Sequence, residues 1–284
     1  MDTASHSISP EQFAAFVGRP DAPLVLDVRR PARFRESDSL LPGARHCAPE
    51  DVDRFAVEHK PGDVIVYCVY GHEVGREAAA RLRAAGWNAS FVAGGIEGGQ
   101  DGVDPPQAIA AWRAHAMPRM RKRPDLGVTG EKASRWITRE RPKVDRVACP
   151  WLVRRFIDPQ AEFFYVPADK VALEAERLGA VAYDVPGAPI AHEWERCSFD
   201  ALIAAFELDE PGLRAMTPIV RGADTDRFSL APQSAGLLAI SLGLSRLHPD
   251  DHTMLEQAMP LYDALYAWCR EKPGEAHRWD AHPA

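Results

Sequence analysis

The 284-residue chain lacks most features of secreted and membrane proteins. Its five cysteines, an odd number in a chain this long, do not form a disulfide framework. Its apolar runs are far shorter than the roughly 20 residues that cross a bilayer. Residues 1–10 contain no basic segment followed by an apolar one, the pattern of a secretory signal. We therefore expect a cytoplasmic protein with reduced thiols and no membrane contact.

An excess of positive charge is also lacking. The chain has 34 basic and 41 acidic residues, and its formal net charge is −7. This balance argues against coating of nucleic acid, and we find no helix-turn-helix pattern, so DNA is not an expected partner. Hydrophobic residues make up 46% and charged residues 26%, which is typical of globular proteins. At roughly 150 residues per domain, the length predicts two domains.

The first 115 residues alternate between strand and helix patterns. Short apolar runs at residues 24–28, 64–67 and 88–92 predict strands. Between the last two, residues 75–85 place apolar side chains at helical spacing and end before a glycine. This order predicts βαβ units on a parallel sheet.

Composition changes after this region. Residues 116–135 are rich in arginine, lysine, proline and glycine, which indicates a basic linker. A solvated tether and a phosphate-binding strip are the two interpretations of it. Residues 136–284 form the predicted second domain, with a short helix, a strand and a helical last third in which Pro260 is expected to kink the final helix.

Cys68 directly follows the strand predicted at residues 64–67 and precedes a short loop and a helix. Ligands bind at the carboxyl ends of strands in open α/β sheets. Loop amides and a helix N-terminus would stabilise a thiolate there, so Cys68 is expected to be a partly exposed nucleophile. Val74 stands where a phosphatase of this type needs arginine, which argues against phosphoryl transfer. The alternative is a buried cysteine that only fills space.

Residues 10–112 resemble a single-domain rhodanese, a sulfurtransferase. The motifs that carry the resemblance are residues 26–29, 41–45, 68–73 and 92–96. The resemblance implies an α/β rhodanese-like parallel-sheet domain in which Cys68 takes sulfur from a small-molecule or protein sulfane donor. Cys68 would become a persulfide and pass the sulfur to a thiol acceptor, with no cofactor. The implied substrate-binding residues are Val69, Tyr70, Gly71, His72, Glu73 and Arg76.

Two positions near the thiol need separate comment. Glu73 replaces the arginine usual in the family loop, and an acid there should repel anionic donors such as thiosulfate. His72 or Arg76 could compensate, or the donor could be a persulfide. Cys47 is either a second thiol near the site or an ordinary small residue.

The second half resembles the C-terminal domain of the chromate resistance protein ChrB family, over residues from about 136 to 270. The segments that carry the resemblance are residues 136–139, 145–158, 192–200, 219–225, 238–245 and 262–268. The resemblance implies a link to chromate stress and a mostly α (α+β) domain after the first one.

Polar residues in these apolar surroundings suggest a divalent metal site. His192, Glu193 and Asp224 are its predicted ligands, because nitrogen and carboxylate donors suit zinc, manganese or iron. Other polar candidates are Asp145, Arg146 and Asp226. The alternative is a hydrogen-bonded network that ties helices together.

Basic residues near two cysteines suggest a further role. Cys149 and Cys197 have Arg146, Arg154 and Arg196 close in sequence, which could lower the thiol pKa values or attract an oxyanion such as chromate. The leading hypothesis is a sulfurtransferase linked to chromate or oxidant stress. The alternatives are a regulator that senses chromate or a metal, and a metalloenzyme centred on His192 with an accessory rhodanese module.

Overall fold

The computed structural model of the protein describes residues 6–271. Its first half contains strands and helices in alternation. The strands are β1 (Ser7–Ile8), β2 (Leu24–Asp27), β3 (Ser39–Leu40), β4 (Ala44–His46), β5 (Asp63–Tyr67), β6 (Asn88–Val92) and β7 (Met120–Arg121). The helices are α1 (Pro10–Phe16), α2 (Pro31–Glu36), α3 (Val52–Glu58), α4 (Glu73–Ala84) and α5 (Pro106–Arg113).

A five-stranded sheet organises this half. Its order is β1-β6-β5-β2-β4, and every neighbouring pair is parallel. The central strand β5 is buried from Val64 to Tyr67, as expected for a strand covered by helices on both faces. Helix α4 follows it and buries Ala78, Ala79 and Leu82 against the sheet. The predicted parallel α/β architecture is confirmed.

The basic segment at residues 116–135 packs against both halves. Met120, Leu126 and Val128 are each at most 2% exposed. Strand β7 pairs antiparallel with β3, and the Arg121 N–H donates to the Phe206 carbonyl over 2.9 Å. The expectation of a solvated tether is therefore wrong, because apolar residues between the charged ones have a core to enter. The domain boundaries at 115 and 136 stay a prediction.

The second half is largely helical, as expected. Three strands, β8 (Arg135–Arg139), β9 (Glu162–Val166) and β10 (Val181–Ala182), form a parallel sheet in the order β10-β8-β9. Its helices are α6 (Asp145–Leu152), α7 (Val171–Leu178), α8 (Ser198–Ala205), α9 (Pro211–Asp224), α10 (Ser234–Leu247) and α11 (Asp251–Glu271). Helix α11 continues through Pro260 and packs, with α10, against α9. No helix in residues 6–271 is long and apolar enough to cross a membrane.

One hydrophobic cluster spans the two halves, and a second lies within the first half and includes Cys68. Phe13 and Val17 of the first half belong to the same buried cluster as Phe156 and Tyr266 of the second. The Tyr266 hydroxyl donates to the Val17 carbonyl over 3.3 Å, and the Gly43 N–H donates to the Phe156 carbonyl over 2.8 Å. This packing brings the end of α11 against α1 and the residue that follows it.

Candidate functional site

Cys68 lies immediately after β5, at the carboxyl edge of the parallel sheet. Its carbonyl accepts a hydrogen bond from the Ile96 N–H over 3.0 Å, which ties it to the turn after β6. The first turn of α4 packs directly against the sulfur: a Cβ at Gly75 would lie only 3.2 Å from Sγ. The residue is 5% exposed, so the expectation of a partly exposed thiol is wrong for this conformation.

The loop after Cys68 is closed against the turn that follows β6. The Val69 carbonyl accepts from the Glu97 N–H over 2.9 Å. Gly71 has φ +72°, and a Cβ there would lie 2.5 Å from the Gly94 nitrogen and 2.7 Å from the Gly95 nitrogen. Only glycine fits both the left-handed backbone and this close approach. Gly71 therefore holds the two loops together.

A run of backbone amides that have no acceptor among the described residues follows Cys68 in the chain. Within residues 6–271, the N–H groups of residues 70–75 have no hydrogen-bond acceptor. Those of Glu73, Val74 and Gly75 belong to the first turn of α4, where the helix dipole adds partial positive charge. Consecutive unpaired amides of this kind bind anions. The expected anion-binding loop thus has a structural basis next to Cys68.

His72 pairs with an acid that sequence reasoning missed. Its Nε2 lies 2.8 Å from Asp104 Oδ2, and the Gln100 N–H donates to the same oxygen over 2.7 Å. The hydrogen bond from Gln100, followed by the contact with His72, lowers the pKa of Asp104. Asp104 lies in an irregular stretch between β6 and α5, with no sequence pattern to place it near the loop.

The two charged residues at the start of α4 have separate surroundings. Glu73 is the first residue of the helix and is exposed. The Arg76 guanidinium lies 5.7 Å from the Phe91 ring centroid, where it stacks as a cation on an aromatic face. No ion pair joins Glu73 to a cation within the part of the chain described, so its carboxylate is exposed and unpaired at the start of α4. The substrate-binding roles of the loop residues remain predictions.

Cys47 lies at the same edge of the sheet but apart from Cys68. It follows β4, and β2 separates β4 from β5. Two strand spacings place the cysteines about 10 Å apart, beyond disulfide distance without backbone movement. Burial raises the pKa of the Cys47 thiol to about 11. These properties favour an ordinary buried residue over a second reactive thiol.

A second cluster of polar side chains lies in the C-terminal half, around His192. Its Nε2 lies 3.0 Å from Asp224 Oδ2, 3.2 Å from Asp184 Oδ1 and 3.5 Å from Asp145 Oδ2. Asp145 begins α6, Asp184 follows β10, and Asp224 ends α9. We call these four residues the His192 cluster. The Asp145 side chain is fully buried, while that of His192 is 43% exposed.

Burial and mutual repulsion shape the charges of the His192 cluster. Burial, followed by the repulsion of Asp145, raises the pKa of the Asp184 carboxyl. The same two causes, with Asp184, raise the pKa of Asp224 to about 7. Hydrogen bonding to Asp145 and the nearby carboxylates raise the pKa of His192 to about 9. Three largely buried acids thus meet one imidazole that remains partly open to solvent.

The predicted metal ligands are only partly brought together. His192 and Asp224 meet, and Asp145 joins them, but Glu193 does not. Glu193 is exposed, its backbone pairs with Arg196 across a tight turn, and its carboxylate is not among the donor atoms that converge with His192 in the described residues. Asp184 was missed, because it lies after a two-residue strand and only the packing of β10 on β8 brings it to the cluster.

The cysteines and arginines of this half do not form the expected anion site. Cys149 and Cys197 are at most 2% exposed, and burial raises the pKa of both thiols. The expectation that arginines lower their pKa is therefore wrong. Arg146 pairs with Asp184, and the Arg154 guanidinium pairs with an exposed glutamate of α11. Arg146 and Arg154 thus face separate carboxylates instead of a shared cavity.

Comparisons with known proteins match two separate stretches of the chain. Residues 9–101 match the model of the rhodanese-like domain, and residues 136–269 match that of the ChrB C-terminal domain. Protein ChrB of Cupriavidus metallidurans is 34% identical over 139 residues, which is 49% of this chain and 41% of that protein. The chain therefore matches less than half the length of this curated relative.

Solved structures resemble the first part. A rhodanese homologue from Thermus thermophilus is 27% identical, covers 32% of this chain and 98% of its own, and has a TM-score of 0.26. A rhodanese-like domain from Anabaena sp. is 29% identical, covers 35% of this chain and 66% of its own, and has a TM-score of 0.26. The chain contains a rhodanese-like domain at residues 9–101 and a ChrB C-terminal domain at residues 136–269.

Proposed function

We propose that the protein is a sulfurtransferase that carries sulfur as a persulfide on Cys68 and acts in resistance to chromate or oxidant stress. The observation that carries the proposal is the run of amides at residues 70–75, which follow Cys68 and have no acceptor in the described chain, with Gly75 packed against the sulfur. The rhodanese-like domain supports the reaction class, and the ChrB C-terminal domain supports the link to chromate.

The reaction has two displacement steps. In the first, the Cys68 thiolate attacks the outer sulfur of a sulfane donor, a new S–S bond forms, and the donor's bond to that sulfur breaks. The electron pair of the broken bond leaves with the remainder of the donor. In the second, an acceptor thiolate attacks the outer sulfur of the persulfide and releases the Cys68 thiolate. The Cys68 thiolate and the Cys68 persulfide are both anions. Hydrogen bonds from backbone amides stabilise such anions.

The charge of Glu73 selects among sulfur donors. Thiosulfate is a dianion, and the exposed, unpaired Glu73 carboxylate repels it as it approaches. A low-molecular-weight or protein persulfide carries less negative charge and is the donor we propose, with a thiol as the acceptor. Because Cys68 is 5% exposed, the donor has to reach the sulfur through movement of the loop at residues 69–73.

Mass spectrometry after mixing with persulfide donors tests the chemistry. We expect the Cys68 peptide to gain the mass of one sulfur atom, and cyanide to release that sulfur as thiocyanate. The Cys68→Ser variant should do neither, while Cys47→Ala, at the same sheet edge, should behave like the wild type. Equal thiocyanate production by wild type and Cys68→Ser, with persulfide and thiosulfate donors alike, would refute the proposal.

Growth in chromate tests the biological role separately. A host that lacks this protein and is supplied with the wild type should grow at higher chromate concentrations than one supplied with Cys68→Ser. Immunoblots confirm that both proteins accumulate equally. If Cys68→Ser protects as well as the wild type, sulfur transfer is not the route to resistance.

A further inference from the structure

The spacing of donor atoms in the His192 cluster matches that of ligands around one metal ion. One oxygen each from Asp145 and Asp184 and one nitrogen from His192 lie within 4.8 Å of one another. With metal–ligand bonds of about 2.1 Å, neighbouring ligands are about 3.0 Å apart in octahedral and about 3.4 Å apart in tetrahedral geometry. The three distances from His192 Nε2 are 3.0, 3.2 and 3.5 Å.

Hydrogen bonding alone accounts poorly for this convergence. An imidazole Nε2 carries at most one proton, and one N–H donates well to one acceptor, yet three carboxylate oxygens surround it. The side chains of Asp145 and Asp184 are at most 7% exposed, so water contributes little to their solvation. Bringing three carboxylates together in such a site costs free energy unless cations compensate them. A divalent cation at the common point supplies that compensation.

Hydrogen bonds from neighbouring residues also fix the orientation of the Asp145 and Asp184 carboxylates, as is usual for metal ligands. The Ser198 and Phe199 N–H groups at the start of α8 donate to Asp145 over 2.6 and 2.9 Å. The Ser198 hydroxyl donates to Asp184 over 3.0 Å, and Arg146 Nε lies 3.3 Å from the other oxygen of Asp184. Such outer contacts orient ligands and strengthen metal binding.

The backbone before Asp145 is fixed in a costly conformation. Val144 has φ +34°, a region that β-branched residues rarely enter. The Ser241 hydroxyl accepts from the Val144 N–H and the Tyr262 hydroxyl donates to its carbonyl, both over 2.8 Å, so α10 and α11 hold it there. Strained backbone of this kind is characteristic of functional sites, and here it aims Asp145 at the cluster.

We propose that the His192 cluster binds a divalent first-row transition-metal ion, with Asp145, Asp184 and His192 as ligands and Asp224 as the fourth. One nitrogen and three carboxylate oxygens suit Mn²⁺, Fe²⁺ or Zn²⁺. The half-exposed imidazole faces solvent, which gives the ion a path in and leaves room for a further ligand. This site is independent of the sulfur chemistry at Cys68.

Calorimetric titration of the full-length, chelator-treated protein with Mn²⁺ and with Zn²⁺ tests the proposal. The wild type should bind one equivalent of at least one ion, and the Mn²⁺ complex should show a changed electron paramagnetic resonance spectrum. His192→Ala and Asp224→Asn should each weaken binding at least about tenfold. The matched controls are Glu193→Gln and Asp226→Asn, whose exposed acids lie beside the same ligands but outside the cluster.

Circular dichroism establishes that each variant is folded before binding is compared. His192 and Asp224 are chosen because they are more exposed than Asp145, whose carboxylate also caps α8. Absence of one-equivalent binding by the wild type would overturn the proposal. So would unchanged affinity in folded His192→Ala and Asp224→Asn, or an equal loss in the two control variants.

Discussion

Replacing Gly71 by alanine tests whether the closed loop around Cys68 depends on a close backbone approach. The added Cβ would lie 2.5 Å from the Gly94 nitrogen and 2.8 Å from the Val92 carbonyl oxygen. Both are backbone atoms, which cannot move aside as a flexible side chain can. The substitution must therefore separate the loop from the turn after β6 or shift both.

Two contributions set the magnitude. Alanine at φ +72° costs about 1–2 kcal/mol because its Cβ approaches the following carbonyl oxygen. Overpacking against fixed atoms adds about 1–3 kcal/mol. Gly71→Ala should thus lower the free energy of unfolding by about 2–5 kcal/mol.

Gly86→Ala is the matched control. Gly86 also has a positive φ, +89°, but nothing lies within 4 Å of the Cβ it would gain. Gly86→Ala should lower the free energy of unfolding only by the cost of the positive φ, about 1–2 kcal/mol. Urea unfolding followed by circular dichroism measures both variants, with persulfide formation as a second readout for Gly71→Ala. If the two variants differ by less than about 0.5 kcal/mol, the close approach is not a constraint and the reasoning fails.

Three further predictions concern charge and burial. Glu73→Arg should raise kcat/KM for thiosulfate about tenfold, because reversing the charge turns repulsion of a dianion into attraction, and steady-state thiocyanate assays measure it. Cys47, with a pKa of about 11 instead of 9.0, should be alkylated at pH 9 about 50-fold more slowly than an ordinary thiol, as peptide mass spectrometry can follow. Asp27→Asn should destabilise the fold by about 3–5 kcal/mol in urea unfolding, because it leaves the buried Arg29 without its carboxylate partner 2.6 Å away.

Each of these predictions has a control. Glu77→Arg places the same charge one turn further along α4 and should change thiosulfate turnover far less; equal gains would contradict a local effect of Glu73. Cys47 should react at the ordinary rate in urea, and equally fast alkylation of the folded protein would show that the thiol is not buried. Asp21→Asn breaks an exposed pair with Arg19 and should change stability little; an equal loss would refute the importance of burial.

The parallel sheet and the place of Cys68 follow from local sequence. The apolar run at residues 64–67 is typical of a strand that helices cover on both faces, and it forms β5. Cys68 is the next residue along the chain. The helical spacing of apolar residues after the loop then predicts α4, because that pattern lies within a single element. Such features depend on neighbours in the chain, so periodicity and turn residues are enough to find them.

Only the tertiary structure determines which residues distant in sequence contact the two histidines of the candidate sites. Asp104 reaches His72, and Asp184 reaches His192, through packing of separate elements, and no local pattern marks either acid. The same holds for Cys149, whose thiol pKa is set by complete burial and not by the arginines near it in sequence. Sequence shows which groups are available, but desolvation and the distances between charges exist only after folding, and these determine what each group can do.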